Sequence, residues 1–423
     1  MKERILVVDN RGRGHALGWN LKTADTSREL FFAPGTYATS KLGKNVDIGI
    51  TEINRLAGFA SDNEVTLTVV GPEVPLERGI VNAFQENNLA IFGPTKEAAM
   101  LETNKAEAIE FMKRHNIPLP ESRIFKDVNE ALSFVENPTW AEIVIKACGL
   151  AAGKGVILPD SLGEAKQAIQ RIMIDKEFDD GREIIVQERL KGKEVSLICI
   201  TDGRTIVPLL PVRDYKRISD DDKGPNTGGM GAFAPVPEVN KKLLKEIYNT
   251  ILVPTIRGME QEGNLYQGVL YAGLMLTEVG PKVLEYNARL GDPETQALMM
   301  LLKSDLYPAL KNATESRLHK KDIAFRKGAS VCVVLAAEGY PGKPKIGDVV
   351  HGLDNINNPD IQIFDSGMIM KNGQVKTNGG RVLAVTAYGK DIEDARLQAY
   401  ASIGEKGVNF RGMHHRKDIG LDT

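Results

Sequence analysis

Cysteine is scarce in this chain. Cys148, Cys199 and Cys332 stand far apart and form no CxxC pair, which argues against a disulfide framework and against a zinc knuckle. No apolar run approaches the roughly 20 residues that a membrane span needs. The opening Met1-Lys2-Glu3-Arg4 leads directly into a short apolar stretch without a signal-peptide pattern, so a cytoplasmic location is expected. A basic block is also missing. With 54 Lys and Arg against 56 Asp and Glu, the formal net charge is −2, which argues against nucleic acid as the main partner. Internal repeats and low-complexity tracts are absent. At 423 residues the chain is too long for one hydrophobic core, so several packed units are expected.

What is present is a regular alternation. Residues 5–8, 30–33, 46–50, 66–70 and 90–92 read as short strands, separated by amphipathic stretches at 16–21, 52–60 and 76–84. That order predicts an α/β unit with a doubly wound parallel sheet over residues 1–103. A helical pattern over 105–115 is stopped by Asn116, Pro118 and Pro120. Strands at 143–146, 156–158, 184–188 and 195–201 follow, with a helix over 162–173. Residues 214–231 form a polar, Gly-rich stretch whose length marks it as more than a connector. A long helix over 241–262 and a hairpin joining 269–277 to 282–287 complete a central unit, 104–325. From residue 326 the pattern is β-rich (331–336, 361–364, 382–386) with one helix over 392–404, a small C-terminal domain.

Three segments carry chemistry. The first strand runs into Asp9-Asn10-Arg11-Gly12-Arg13-Gly14-His15, and a strand–Gly loop–helix offers free N–H groups and a positive helix end to a phosphate. The spacing only approximates a dinucleotide fingerprint, and Phe32-Ala33-Pro34-Gly35 stands where the ribose-binding acid would be. A tight turn with glycines serving sterics alone is the other reading; Arg11 and Arg13 favour an anion. The second segment runs from Lys146 through Gly149 to Lys154 and Gly155. It is not a Walker A loop, because no Ser or Thr follows Lys154 and a strand comes next. A Gly/Ala hairpin with a lysine at each end suits a fold over a triphosphate. The third is the strand 283–289. Alternation puts Glu285 and Asn287 on one face, and a carboxylate and an amide oxygen are hard ligands suited to Mg2+ carried by nucleotide phosphates. Arg289 continues that side, where it needs an opposing anion. Asp292 and Glu294 then open a helix, as caps or as substrate ligands.

The segments 146–156 (KACGLAAGKGV), 224–231 (GPNTGGMG), 268–276 (GVLYAGLML), 285–296 (EYNARLGDPETQ), 333–342 (VVLAAEGYPG) and 379–385 (GGRVLAV) follow one another in this order. Together they resemble the ATP-grasp superfamily and, within it, the phosphoribosylamine–glycine ligase family, over essentially the whole chain. The resemblance implies a central ATP-grasp fold in which 121–190 is a mobile lid. It implies that Lys105 and Lys146 contact ATP phosphates and that Ala151, Ala152, Gly153, Lys154 and Gly155 form the phosphate lid. Gln187, Glu188 and Leu190 would hold adenine, Glu194 the ribose, and Glu285 with Asn287 a Mg2+ or Mn2+ ion. Thr227, Gly228, Gly229, Met230 and Gly231 would lie around glycine and its acyl phosphate, together with Asp214, Arg289 and Asp292. Of these, Lys146, Asp214, Arg289 and Asp292 would serve catalysis. Gly12, Arg13, Gly14, His15, Gly35, Pro72 and Glu73 would hold 5-phosphoribosylamine. A monomer acting on small molecules is the family expectation.

Departures concentrate on the amine side. Asp9 and Arg11 stand where the family usually has glycine, Gly14 replaces a glutamate, and Tyr215 replaces a histidine; Cys148 and Leu290 also differ. A paralogous ligase with another amine, and a nucleotide-binding relative without catalysis, are the competing readings. Glu285, Asn287, Arg289, Lys105 and Lys146 together argue against the latter.

Overall fold

A computed structural model describes residues 2–150, 155–178, 181 and 183–421. The first strand, β1 (Arg4–Asp9), leads into α1 (Gly12–Ala24), and β2 (Glu29–Pro34) and β3 (Lys44–Asn45) follow. After α2 (Ile53–Asp62) come β4 (Leu67–Val70), the short α3 (Glu73–Glu77) and α4 (Ile80–Glu86), and β5 (Ile91–Phe92). The sheet order is β3-β2-β1-β4-β5, all parallel. Ile5, Leu6, Val7 and Val8 are wholly buried, as a parallel strand covered on both faces requires. The chain moves outward from β1 on one side and resumes at β4 on the other, so a switch point opens between β1 and β4.

Two expectations need correction here. Residues 46–50 are not a strand: Ile48 N–H donates back to Val46 O at 2.7 Å, which folds the chain away from the ladder after Asn45. The single helix expected over 76–84 is two, because Gly79 at φ 78° breaks it.

Past α5 (Met100–Thr103) and α6 (Lys105–Arg114), a second sheet is built from β6 (Ser122–Phe125), β7 (Ile143–Ala147), β8 (Val156–Ile157) and β9 (Ile184–Glu188), in the order β6-β9-β7-β8. Between them lie α7 (Val128–Glu136) and α8 (Leu162–Ile169), which pack on one face over Ile143, Ile145, Ile184 and Val186. Alternation sends Lys146 and Gln187 to the other face. Neither β6 nor α7 was anticipated.

The chain continues through β10 (Lys193–Thr201), β11 (Ile206–Pro208) and β12 (Arg213–Asp214). The expected polar loop at 214–231 contains a hairpin, β13 (Arg217–Ser219) and β14 (Lys223–Asn226), before β15 (Gly231–Ala234). Asp221 and Asp222, at φ 56° and 50°, form its tip, the left-handed pair that a tight hairpin turn needs. The long helix is α9 (Lys241–Ile247) and α10 (Val253–Gln261) joined by a π-type turn at Tyr248–Leu252; Pro254, with no N–H to give, lies just beyond it. Strands β16 (Gly268–Thr277) and β17 (Gly280–Asn287) then complete an antiparallel sheet, β11-β10-β16-β17.

After α11 (Glu294–Leu301) and α12 (Leu306–Thr314) the chain forms β18 (Ala329–Ala336), β19 (Ile361–Asp365), the hairpin β20 (Met368–Lys371) and β21 (Gln374–Thr377), β22 (Arg381–Gly389) and α13 (Ile392–Ala401). The C-terminal sheet runs β12-β15-β18-β22-β19. It therefore takes two strands, Arg213–Asp214 and Gly231–Ala234, from the preceding unit, and the loop between them is anchored at both ends in C-terminal structure.

Candidate active site

The C-terminal ends of β1, β2 and β4 place Asp9, Gly35, Pro72 and Glu73 along the switch-point crevice, where open α/β sheets bind ligands. The helix begins at Gly12, so Gly12, Arg13, Gly14 and His15 lie in its first turn rather than in a loop. Its glycines serve close approach. A Cβ on Gly12 would meet Ser366 Oγ at 2.4 Å, and one on Gly14 would meet Asp9 Cβ at 2.5 Å. Gly71 leaves similar room, since a Cβ there would meet Asp9 Oδ2 at 1.9 Å. The altered loop is thus internally matched: Asp9 occupies space that Gly14 and Gly71 leave open.

Asp9 also has its counter-charge. Arg13 Nε donates to its Oδ2 at 2.7 Å, with both residues buried, and Arg13 Nη1 reaches Leu290 O at 3.1 Å. Burial pushes the Asp9 carboxyl up, against the pull of Arg13. Arg13 is therefore engaged by the protein, while Arg11, exposed at the helix entrance, is near enough to Glu73 and Asp292 to help hold their carboxyls low. His15 departs from the expected loop histidine. It is buried, and its Nδ1 accepts from Asp365 N–H at 2.9 Å. Burial, with Lys41 nearby, lowers its pKa to about 3; it ties α1 to β19 as a neutral ring.

A second cluster of charged side chains is organised around Glu285. Asn104 caps α6 by accepting from Glu107 N–H, which places Lys105 at the positive helix end, where a cation is disfavoured unless an anion joins it. Lys105 Nζ donates to Gly149 O at 2.7 Å, and its N–H to Cys148 O at 3.0 Å. The carbonyls of Cys148 and Gly149 are thus both held by Lys105. Lys146 Nζ crosses from the lid sheet to Leu284 O at 3.0 Å. Burial lowers its pKa from 10.5 to about 8, with Glu285 opposing and Lys105 and Lys216 reinforcing the fall. Lys216 was not anticipated, although it stands two residues from Asp214 in an extended segment and so shares its side. Its Nζ lies 3.1 Å from Glu194 Oε2 and 3.8 Å from Glu285 Oε1. Glu194 holds the Lys216 ammonium well above its ordinary value against burial. Burial alone would raise the Glu285 carboxyl, but Lys216, Lys146 and Lys105 together hold it low.

Glu285 and Asn287 share one face of β17, while Tyr286 is buried on the other, its hydroxyl 2.6 Å from Thr255 Oγ1. Gly273 pairs with Glu285 across the sheet; a Cβ there would lie 3.2 Å from Glu285 Cγ. Among the described residues no three His, Cys, Asp or Glu side chains come together as a metal cluster. Two hard oxygen donors suit a cation that brings phosphate and water ligands with it.

Arg289 needs no substrate anion to compensate it. Its guanidinium lies 3.2 Å from Glu73 Oε2 and 3.0 Å from Glu102 Oε1, and Nη2 donates to Asn287 Oδ1 at 3.2 Å. Glu102, unmarked by any motif, also accepts Ala288 N–H at 2.7 Å. Arg289 thereby links the switch-point crevice to the end of β17.

The Thr227–Gly231 turn is held from the C-terminal sheet. Arg381 Nη1 donates to Gly228 O and Asp292 O, each at 2.6 Å, and its Nη2 pairs with Asp292 Oδ2 at 3.1 Å. Tyr340 Oη accepts Gly228 N–H at 2.9 Å. Gly229 sits at φ 105°, and a Cβ there would meet Pro293 Cδ at 2.5 Å and Asp214 Oδ1 at 3.0 Å. Met230 and Gly231 continue into strand pairing with Tyr215 and Val333. Asp214 is pushed well up by burial and by Glu294 beside it, and Tyr271 donates to Glu294 Oε1 at 2.7 Å. Arg381 falls within the recognisable segment 379–385, which is the signal that could have found it.

In the β6-β9-β7-β8 sheet, Gln187 is buried with Nε2 donating to Ser122 Oγ at 2.8 Å, so one of its amide donors is used by β6. Glu188 Oε2 lies 3.7 Å from Lys282 Nζ, and Leu190 is half-buried in the linker to β10. Gly155 O accepts Ala147 N–H at 2.9 Å. Ala151, Ala152, Gly153 and Lys154 lie outside the described residues.

A lid sheet facing an antiparallel sheet, with three lysines around a carboxylate–amide pair, defines an ATP-grasp ligase. Comparison with known proteins resolves the family. Phosphoribosylglycinamide synthetase models match successively: the N domain over residues 3–102, the ATP-grasp (A) domain over 103–295 and the C domain over 330–422. The chain belongs to the phosphoribosylglycinamide synthetase family. It is 45% identical over 421 residues to the phosphoribosylamine–glycine ligase of Yersinia pestis, covering 98% of each chain. It is also 45% identical to the trifunctional purine biosynthetic protein adenosine-3 of Gallus gallus, of whose length it spans 42%. The crystal structure of phosphoribosylamine–glycine ligase from Thermotoga maritima superimposes with a TM-score of 0.84 at 34% identity, covering 98% of this chain and 99% of that one. Biotin carboxylase from Campylobacter jejuni, at 13% identity and a TM-score of 0.73 over 100% of this chain and 94% of that one, shares the fold.

Proposed function

We propose that this chain joins glycine to 5-phosphoribosylamine at the expense of ATP, through glycyl phosphate. The observation that carries the reading is the convergence of Lys105, Lys146 and Lys216 on Glu285. Three cations around one carboxylate leave positive charge for a polyphosphate to neutralise, and one of them, Lys146, is already buried from solvent. A glycine carboxylate oxygen attacks the γ-phosphorus, ADP departs, and the amine of phosphoribosylamine then displaces phosphate from the acyl carbon to form the amide. No protein nucleophile is required. The residues act by position and charge: the lysines spread over the transferring phosphoryl group, and Glu194, paired with Lys216, accepts from the ribose. Glu285 and Asn287 would hold Mg2+ or Mn2+, which when bound supplies charge neutralisation at the phosphates. Asp214 and the Thr227–Gly231 turn flank the acyl group, and the β1–β4 crevice with Arg11 receives the phosphorylated amine.

The test is glycine-dependent ADP release in the presence of Mg2+ with phosphoribosylamine or alternative amines. Release that requires phosphoribosylamine supports the assignment. Equal release with another amine, and none with phosphoribosylamine, would assign the chain to a paralogous ligase with a different acceptor. The internal matching of Asp9 with Gly14, Gly71 and Arg13 favours an adapted, intact crevice.

A further inference from the structure

Tyr215, one of the departures noted in the sequence, lies between Asp214 and Lys216. Neighbours in an extended segment face opposite ways, so with Lys216 turned to Glu285 the Tyr215 ring turns outward, away from the site. There it meets Arg416, whose guanidinium carbon lies 4.7 Å from the ring centroid. Arg416 is 1% exposed and heads the fully buried side chains by volume. A guanidinium so placed costs several kcal/mol unless every donor is satisfied, and here the donors find specific partners. Nε and Nη2 take the two carboxylate oxygens of Asp418 at 2.7 and 2.5 Å, in the bidentate geometry that makes such pairs strong. Nη1 reaches Asp222 Oδ1 at 2.7 Å and Arg217 O at 3.2 Å, both on the β13–β14 hairpin.

The rest of this segment repeats the grip. His414 Nε2 lies 2.7 Å from Ile218 O, Lys417 N–H donates to Asp220 Oδ1 at 2.7 Å, and Asp221 N–H to Asp418 Oδ2 at 3.0 Å. Gly420 N–H donates to Tyr215 Oη at 3.0 Å. Residues 217, 218, 220, 221 and 222 of the hairpin are thus each bonded to 414–418, far along the chain. The same hairpin begins one residue after Lys216, and Thr227 at its other end accepts no freedom either: its N–H and Oγ1 both donate to Lys216 O, at 2.7 and 2.8 Å.

We propose that Arg416 is a positioning residue: the 414–420 segment latches the β13–β14 hairpin, and through it sets the place of Lys216 over the nucleotide phosphates. Among the described contacts, those from 414–420 hold the hairpin itself, while Arg381 and Tyr340 hold the Gly228–Gly229 turn that follows it. Misplacing a phosphate-binding group by an ångström costs on the order of 100-fold, which fixes the scale of the effect.

The proposal rests on Lys216 serving the ATP phosphates, and a double-mutant cycle tests it on the full chain. Turnover per active site and MgATP affinity by direct titration are measured for Arg416→Met, Lys216→Gln and the double variant. The expected result is a roughly 10- to 100-fold loss in kcat/KM for MgATP in Arg416→Met that shrinks below about threefold when Lys216 is already Gln. Equal fold-losses in both backgrounds, or unchanged kcat and KM per active site with only less folded protein, would overturn it. Should Arg416→Met not fold, Asp222→Asn carries the test, since the Asp222 side chain is 70% exposed. A loss of a few-fold that vanishes beside Lys216→Gln supports the latch, and no loss overturns it. Absence of glycine-dependent turnover in the unaltered chain would sink the ligase reading alone, because coupling in MgATP affinity reads the latch by itself.

Discussion

Lys146→Met should make the unliganded protein more stable at pH 7 while nearly abolishing its hold on ATP. Lys146 is 7% exposed, and burial lowers its pKa from 10.5 to about 8. A shift of that size corresponds to about 3 kcal/mol at roughly 1.4 kcal/mol per unit. The sign follows from which state holds the proton. Between pH 8 and 10.5 the unfolded chain keeps Lys146 charged while the folded state releases it, so the penalty on folding is full below pH 8 and fades as pH rises toward 10.5. Methionine, of similar length and uncharged, removes that penalty. The lost bond to Leu284 O offsets about 1 kcal/mol, which leaves a net stabilisation of about 1–2 kcal/mol at pH 7. Urea unfolding of the free protein at pH 7 and pH 9.5 measures this, and the gain over the parent should shrink at the higher pH. Titration with MgATP should show affinity down by at least about 30-fold, the scale of losing one buried charged contact. Destabilisation at pH 7, or unchanged ATP affinity, would refute the view that Lys146 is held desolvated for a phosphate.

Glu285→Gln should lower kcat by about 100-fold or more and raise the Mg2+ concentration needed for half activity, read from metal titrations of turnover. Because lysines hold the Glu285 carboxyl low, its contribution is present at neutral pH and above, and is lost only as pH falls through that depressed value. His15→Leu should cost about 1–3 kcal/mol in unfolding free energy by stranding the Asp365 N–H, and the pH–rate profile of the variant should keep the parent's limbs, because a ring with a pKa of about 3 is already neutral. Asp9→Asn should destabilise by about 3–5 kcal/mol by removing the carboxylate bonded to the buried Arg13; a change below about 1 kcal/mol in thermal or urea unfolding would show that Leu290 O, with Asp292 and Glu73 nearby, suffices for Arg13.

Much of the fold was legible because its signals are local. The all-apolar β1, the hairpin glycine between β16 and β17, and the stop signals after α6 are each written in a few adjacent residues. What failed depends on partners distant in sequence. Residues 46–50 have strand composition, but the fold-back to Val46 leaves no ladder to join. The stretch 214–231 reads as loop because the hairpin in it is stabilised from 414–418. For the site, Lys146, Glu285 and Asn287 were visible through motif spacing and Lys105 through the family resemblance, and the structure brings both lysines close enough to Glu285 to hold its carboxyl low. Lys216, Glu102 and Arg381 were missed, since their roles are defined by carboxylates and carbonyls brought near only by folding. Conversely, Arg13 and His15 looked free beside glycines, and burial gave each a protein partner. The anion expected opposite Arg289 is supplied by Glu73 and Glu102.

The central claim is that ATP activates the glycine carboxylate by direct phosphorylation. Glycine carrying oxygen-18 in both carboxylate positions tests it most directly, with the released phosphate and the amide product analysed by mass spectrometry. Transfer of one labelled oxygen to phosphate per amide formed, with one retained in the product, is the predicted result. Phosphate free of label while amide accumulates would contradict the account.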